Sequence, residues 1–218
     1  MKILITGGTG FVGTRLTSRL IQDGNEVTIL TRSGKEPEKG RTGISYLQSD
    51  PAQKGPWQES IGSHDAIINL AGASIFSRWS DTQKKVIRES RLGTTRNIVE
   101  GMPLCPDKKI TLFSGSAVGY YGFGEEEEFT EASPPGGDFL ARLALEWEEE
   151  ALKASEKGAR VLLARFGIVL GEKGGALGRM IPLFKLYVGG PIGGGKQWFS
   201  WIHVQDLVEA FVFMMKHQ

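Results

Sequence analysis

Short, nearly unbroken apolar runs alternate along this chain with stretches in which apolar residues return every third or fourth position. The first kind reads as strands buried on both faces, the second as the helices that cover them. On this pattern residues 3–6, 26–31, 44–47, 66–70, 110–114 and 161–166 are expected strands. Residues 11–22 form the first expected helix, with Val12, Leu16 and Leu20 on one face and Gly24 at its end. Ser80 or Asp81 caps a long helix reaching about Glu100, and Asp138 caps another reaching about Lys157. A weaker helical stretch lies near residues 57–61. Polar residues 33–42 and the acidic run 125–128 read as solvated loops, and the glutamates of 148–150 as a helix exterior. Strand–helix alternation of this kind predicts an α/β fold, a doubly wound parallel sheet of the Rossmann type.

From Gly171 the pattern breaks under many glycines. A helix over 180–187, a strand over 198–202 and a final amphipathic helix over 205–215 are expected there. We therefore expect a dinucleotide-binding domain over 1–170 and the start of a substrate-binding lobe over 171–218. That lobe is expected to be incomplete, because the last helix ends three residues before Gln218.

The most informative local run is I-L-I-T-G-G-T-G-F-V-G, from Ile3 to Gly13. A strand enters a turn with Gly7, Gly10 and Gly13 at three-residue intervals, and helical periodicity begins at Phe11. Such a turn holds a dinucleotide diphosphate on backbone N–H groups at a helix N-terminus, where the helix dipole favours an anion. Gly7, Thr9, Gly10, Phe11, Val12 and Gly13 are the expected contacts. In NAD-binding versions an acidic residue after the second strand takes the ribose hydroxyls. Here that strand ends Leu30-Thr31-Arg32-Ser33, with a guanidinium and no carboxylate. Arg32, helped by Thr31, suits a 2′-phosphate and selects NADP; the alternative is a solvent-facing loop arginine.

Composition narrows the partners. Lys+Arg 26 against Asp+Glu 25 in 218 residues gives a net charge of +1, which offers no electrostatic case for nucleic acid or a membrane surface. No run approaches the ~20 apolar residues of a membrane span, and the first apolar run is too short for a signal peptide. The single cysteine, Cys105, excludes an internal disulfide and fits a cytoplasmic protein. The three histidines form no cluster in the sequence, so no metal site is expected. A small-molecule substrate and a monomer or homodimer complete the expectation.

Further segments carry a family resemblance. Asn69-Leu70-Ala71-Gly72, Phe113-Ser114-Gly115-Ser116, Arg165-Phe166-Gly167-Ile168-Val169-Leu170-Gly171 and Trp201-Ile202-His203-Val204-Gln205-Asp206 follow the order of the extended short-chain dehydrogenase/reductases. Arg78-Trp79, Phe139-Leu140-Ala141 with Trp147-Glu148, and Gly189-Gly190-Pro191-Ile192-Gly193 resemble the NAD-dependent epimerase/dehydratase-like branch, the sugar-nucleotide epimerase family proteins. The resemblance implies hydride transfer at a carbinol or carbonyl carbon of a small molecule such as a nucleotide sugar. It places Asp50 at the adenine amino group, although Pro51 also makes it a turn residue. Leu70, Ala71, Gly72, Ser114 and Gly115 would line the cofactor. Phe166, Gly167 and Ile168 would run under the nicotinamide. Arg78 would reach a phosphate or an anionic substrate, or lie exposed. His203 reads as structural or substrate-side.

The superfamily's chemistry uses a tyrosine, with pKa near ~10 when unperturbed, brought down by a lysine four residues on. Four residues after Tyr46, Tyr120, Tyr121 and Tyr187 stand Asp50, Gly124, Glu125 and Pro191. Phe139 and Leu143 occupy the helix positions of the missing pair. The resemblance leaves Ser116 to orient the substrate oxygen. Three readings stay open: Tyr121 or Tyr120 replaces the acid/base; substrate, water or another segment supplies it; or the site binds NADP as a sensor with little chemistry. Both tyrosines also fit an aromatic lid over the core.

Overall fold

The computed structural model describes residues 1–33, 42–104, 109–172, 174–191, 194–195 and 197–217. Most of the polar loop 33–42, together with Cys105, Ile192 and Gly193, lies outside the described residues.

Six strands form one parallel sheet: β1 (Lys2–Thr6), β2 (Glu26–Thr31), β3 (Ile44–Gln48), β4 (Ala66–Asn69), β5 (Thr111–Ala117) and β6 (Arg160–Phe166). Their spatial order is β3-β2-β1-β4-β5-β6, so the winding reverses between β1 and β4. A crevice opens at the carboxyl ends of strands at such a reversal. Helices α1 (Phe11–Gln22), α2 (Asp81–Gly101), α3 (Phe139–Leu152), α4 (Gly175–Lys185) and α5 (Val204–Lys216) join or flank the strands. A second, two-stranded parallel sheet pairs β7 (Ile168–Leu170) with β8 (Trp201–His203).

Alternation along β1 divides the core. Ile3 and Ile5 face one side with Val27, Ile29, Ile68 and Phe113, under Leu16 and Leu20 of α1 and Leu207, Val208, Phe211 and Val212 of α5. Leu4 faces the other with Leu30, Ile67 and Leu112, under Trp57, Ile61, Ile98 and Val99. Both faces are covered, which is why these strands read as continuous apolar runs. Helix α5 lies within the segment expected to open a substrate lobe, yet its apolar face packs into the sheet core beside α1.

Helix starts follow side-chain chemistry. Ser80 Oγ accepts from Gln83 N at 3.2 Å. Asp138 Oδ1 accepts from Leu140 N and Ala141 N at 2.7 and 3.1 Å. His203 Nδ1 accepts from Gln205 N at 3.4 Å, with Asp206 in the first turn of α5. His203 is thus a cap. These partners satisfy amides that have none inside the helix.

Several boundaries differ from expectation. Strand β5 runs on to Ala117 because β6 pairs with it through Ser116↔Arg165 and Ala117↔Phe166. The helix begun at Asp138 becomes 3-10 over Lys153–Lys157 and stops at Gly158, φ 82°. Helix α4 starts at Gly175, and β8 begins at Trp201 rather than 198. The largest correction concerns the glutamates of α3: Glu148 and Glu150 are 4% and 7% exposed, and only Glu149 faces solvent. Ala141, Ala144, Trp147, Glu148 and Ala151 share the buried face of α3 at helical spacing, so the acid at 148 is carried inward.

Candidate functional site

The glycine turn lies at the mouth of the crevice. Gly7 has φ +73°, and a Cβ there would stand 2.7 Å from the carbonyl carbon and oxygen of Leu70. A Cβ on Gly13 would stand 2.2 Å from Gly7 O and 2.7 Å from Gly8 Cα. The first contact lets the loop after β4 touch the turn; the second lets α1 sit directly on it. Gly10 N donates to Gly7 O at 3.0 Å and closes the turn. Helix α1 begins there with no side-chain cap and no acidic residue in its first turn. The amides of Phe11, Val12 and Gly13 thus head a helix whose positive end is not neutralised by its own sequence. Thr9 and Gly10 are exposed at this end. The Phe11 ring is packed by the glycine-rich segment, where a Cβ on Gly174 would come within 2.2 Å of it.

A buried polar chain fixes the strand ends behind the turn. Thr6 Oγ1 donates to Asn69 Oδ1 at 2.7 Å, and Asn69 Nδ2 donates to Thr95 Oγ1 at 2.9 Å. Trp147 Nε1 donates to the same Thr95 oxygen at 2.8 Å. Ala71 N donates to Thr6 Oγ1 at 3.3 Å. One network therefore ties β1, β4, α2 and α3 together and sets the path of Leu70, Ala71 and Gly72.

At the far side of β2, Arg32 is exposed directly beyond the strand, and Thr31 Oγ1 is used locally by Ser33 N at 3.2 Å. Asp50 Oδ1 accepts from Ala52 N at 3.0 Å, the turn geometry that Pro51 suggested. Arg78 is exposed ahead of α2. Phe166, Gly167 and Ile168 carry the chain from β6 into β7, where Ile168 N donates to Ser200 O at 2.9 Å.

The ends of β5 and β6 hold the main unexpected arrangement. Ser116 Oγ donates to Glu148 Oε1 at 2.5 Å. Arg165 donates through Nε to Glu148 Oε1 at 2.7 Å and through Nη2 to Oε2 at 2.6 Å, a bidentate pair. Arg165 Nη1 donates to the Tyr121 hydroxyl oxygen at 2.9 Å. The Glu148 bonds raise the Arg165 pKa above its usual value despite the opposing effect of burial. Tyr120 is buried with its ring 3.5 Å from the Arg165 guanidinium carbon, and the Tyr121 ring stacks on Phe129 at 5.3 Å. Of the two tyrosines, Tyr121 joins the network through its hydroxyl, while Tyr120 forms its aromatic floor. Ser114 is also buried, its hydroxyl 3.4 Å from Gly115 O.

The positions of the absent tyrosine–lysine pair are apolar. Phe139 meets Trp79 edge-on at 5.6 Å, and Leu143 is buried with Ile87 and Leu92. Sequence reasoning missed Glu148 and Arg165 as a pair. The signal was available: an arginine near the end of the otherwise apolar run 161–166, and a glutamate in helical phase with Ala141, Ala144 and Ala151. Among the described residues no group of three or more His, Cys, Asp or Glu is gathered as for a metal, and no helix is long and apolar enough to cross a membrane.

A doubly wound parallel sheet with a glycine turn at its switch point defines a Rossmann-like nucleotide-binding chain. It belongs to the NAD dependent epimerase/dehydratase family, whose model matches residues 3–218. The chain is 44% identical over 210 residues to the chloroplastic epimerase family protein SDR39U1 homolog of Arabidopsis thaliana, covering 95% of this chain and 60% of that protein. It is 42% identical over 219 residues to the epimerase family protein YfhF of Bacillus subtilis, covering 100% of this chain and 71% of the relative. The crystal structure of human epimerase family protein SDR39U1 (isoform 2) with NADPH superposes with a TM-score of 0.80 at 35% identity, covering 97% and 69% of the two chains. The chain thus spans between three fifths and three quarters of these three proteins.

Proposed function

We propose that this chain is the nucleotide-binding part of an NADP-dependent oxidoreductase or epimerase-like enzyme acting at a carbinol or carbonyl carbon, with a nucleotide sugar as the substrate class. The observation that carries the cofactor reading is the uncapped, acid-free start of α1 at the glycine turn, with the exposed Arg32 beyond β2. The amides of Phe11, Val12 and Gly13 would hold the diphosphate, and Arg32 the 2′-phosphate. The human relative named above was solved with NADPH, which agrees with this choice. When bound, the nicotinamide supplies or accepts a hydride.

The chain's own part is to hold and move a proton. Tyr121 receives a hydrogen bond from Arg165, so its own O–H is left to donate to a substrate oxygen. After the proton leaves, the same Arg165 N–H still bonds the phenolate oxygen. Glu148 fixes the arginine, and Ser116 keeps its oxygen lone pairs as acceptors while its proton is committed to Glu148. Replacing Tyr121 by Phe is expected to lower kcat for NADPH-dependent carbonyl reduction by about 10²–10⁴-fold, with NADPH affinity unchanged. Unchanged turnover would remove Tyr121 from the mechanism.

A second reading is favoured by the apolar pair Phe139 and Leu143: a sensor that binds NADP and turns over little. Tight NADPH binding with no absorbance loss across a broad carbonyl panel would select it. Under either reading, Arg32→Ala is expected to weaken NADPH by about 1.5–3 kcal/mol, the worth of a hydrogen bond to a charged group, and to leave NADH binding as it was. Equal losses for both nucleotides would take Arg32 out of the 2′-phosphate site.

A further inference from the structure

The chain leaves Tyr121 into a long loop, residues 122–136, and returns to the same point. Gly136 N donates to Tyr120 O at 2.9 Å. A Cβ on Gly136 would stand 2.7 Å from Gly122 Cα and from Tyr121 O, and Gly122 has φ +75°. Two glycines thus press backbone on backbone and close a neck directly after Tyr121, the form of an Ω-loop. Between its ends the loop buries none of its residues. Its head carries the consecutive carboxylates Glu125–Glu128 and an exposed Phe123.

The head lies against the groups assigned above to proton transfer. Phe129 stacks on Tyr121 nearly parallel, at 10° and 5.3 Å between ring centroids. Glycine at 124 makes room for it, since a Cβ there would come within 2.8 Å of the Phe129 ring. Glu131 O accepts from Arg165 Nη1 at 3.2 Å, the same nitrogen that donates to the Tyr121 hydroxyl. From the glycine-rich segment before β8, Trp198 donates its Nε1 to Glu125 O at 2.8 Å. The loop is therefore held down by a stacked ring and by hydrogen bonds at the surface. A segment with no buried residue of its own, tied in this way, opens at far lower cost than the sheet beneath it.

We propose that residues 122–136 are a lid over the Tyr121–Arg165 pair, hinged at the Gly122–Gly136 neck and latched by Trp198. Closed, the lid holds the Tyr121 ring under Phe129 and keeps water from the phenol and the guanidinium. Open, it lets substrate in and product out. The inference deepens the proton-transfer reading of Tyr121 and rests on it for what the lid guards. Opening itself is read without turnover.

The test is nitration of tyrosines by tetranitromethane, read residue by residue by peptide mass, beside cleavage by a glutamate-specific protease at Glu125–Glu128. Trp198→Phe keeps an aromatic ring and removes the N–H; Trp198 is exposed, so the core is untouched. It is expected to speed nitration of Tyr121 by about two- to tenfold, the rise in open population when one net hydrogen bond is lost. Cleavage should rise in parallel. Tyr187, fully displayed on the surface, and Tyr120, buried, are internal controls and should react as in the parent. Gly136→Ala forces the neck apart and is expected to raise both rates at least as much; urea unfolding checks that it still folds. Parent-like nitration of Tyr121 in Trp198→Phe overturns the inference. Faster cleavage with unchanged Tyr121 nitration also overturns it, because the loop would then move without covering the phenol. Equal acceleration at Tyr120 and Tyr121 overturns it as well, since that would be general loosening of the fold. Failure of the proton-transfer reading shows elsewhere, as unchanged turnover in Tyr121→Phe, and leaves these rates as they are.

Discussion

Gly13→Ala is expected to abolish measurable NADPH binding. The added methyl group would stand 2.2 Å from Gly7 O and 2.7 Å from Gly8 Cα, both backbone atoms of the turn itself. Neither can rotate away as a side chain would. Either α1 backs off from the turn or the turn opens, and both moves spread the amides proposed to hold the diphosphate. Helix propensity acts in the opposite direction, since alanine is favoured over glycine inside a helix by about 1 kcal/mol. A loss of binding therefore reports the clash. Gly24→Ala is the control: Gly24 has φ +78° and open space around its Cβ position. It should cost about 1 kcal/mol of stability from backbone strain and leave NADPH affinity unchanged. Fluorescence titration with NADPH and thermal melts of both variants check this. Parent-like binding by folded Gly13→Ala would mean that the turn does not hold the diphosphate.

The second large effect is on stability. Arg165→Ala strands Glu148, 4% exposed and bound side-on by Nε and Nη2 of the guanidinium. Removing one partner of a buried pair costs about 3–5 kcal/mol, because the other charge stays without water. The substitution also removes the only strong donor to the Tyr121 hydroxyl among the described residues, so turnover should fall together with stability. Arg165→Met combined with Glu148→Leu should recover most of the stability, since a well-packed apolar pair replaces the ions at similar volume. It should recover none of the turnover. Urea unfolding of the two variants separates these effects. A loss under about 1 kcal/mol for Arg165→Ala, the range of an exposed pair, would show that water reaches Glu148.

How much of this was legible in the sequence follows from the range of the forces involved. Helix α1 and strand β2 match their expected bounds because periodicity, Gly24 and the turn chemistry are all local. The caps at Ser80 and Asp138 were readable for the same reason. Strand β5 was expected three residues short because Gly115 to Ala117 are strand only through pairing with β6, some fifty residues away. The glycine-rich stretch after Gly171 read as broken pieces, yet glycines there admit the Phe11 ring. That contact depends on the tertiary fold and leaves no periodic trace.

The candidate site divides in the same way. The glycine turn and Arg32 were legible because the proposed NADP site rests on particular residue types at set spacings. Glu148 was assigned to the surface by its charge alone, although its phase on α3 placed it inside. Arg165 was invisible as a partner because its contacts come from elsewhere in the chain, α3 and the segment before it. Charge in a sequence reads as exposure by default. It becomes part of a site only when the fold supplies a partner, as it does for Arg165.

The account depends on the amino-terminal turn and Arg32 acting together as an NADP site. Isothermal titration of the folded chain with NADPH and, separately, with NADH tests this most directly. The account predicts one NADPH bound per chain, at least about tenfold tighter than NADH, the least that a charge-assisted bond to the 2′-phosphate would give. Folded protein that takes up neither nucleotide, or binds both alike, would contradict it.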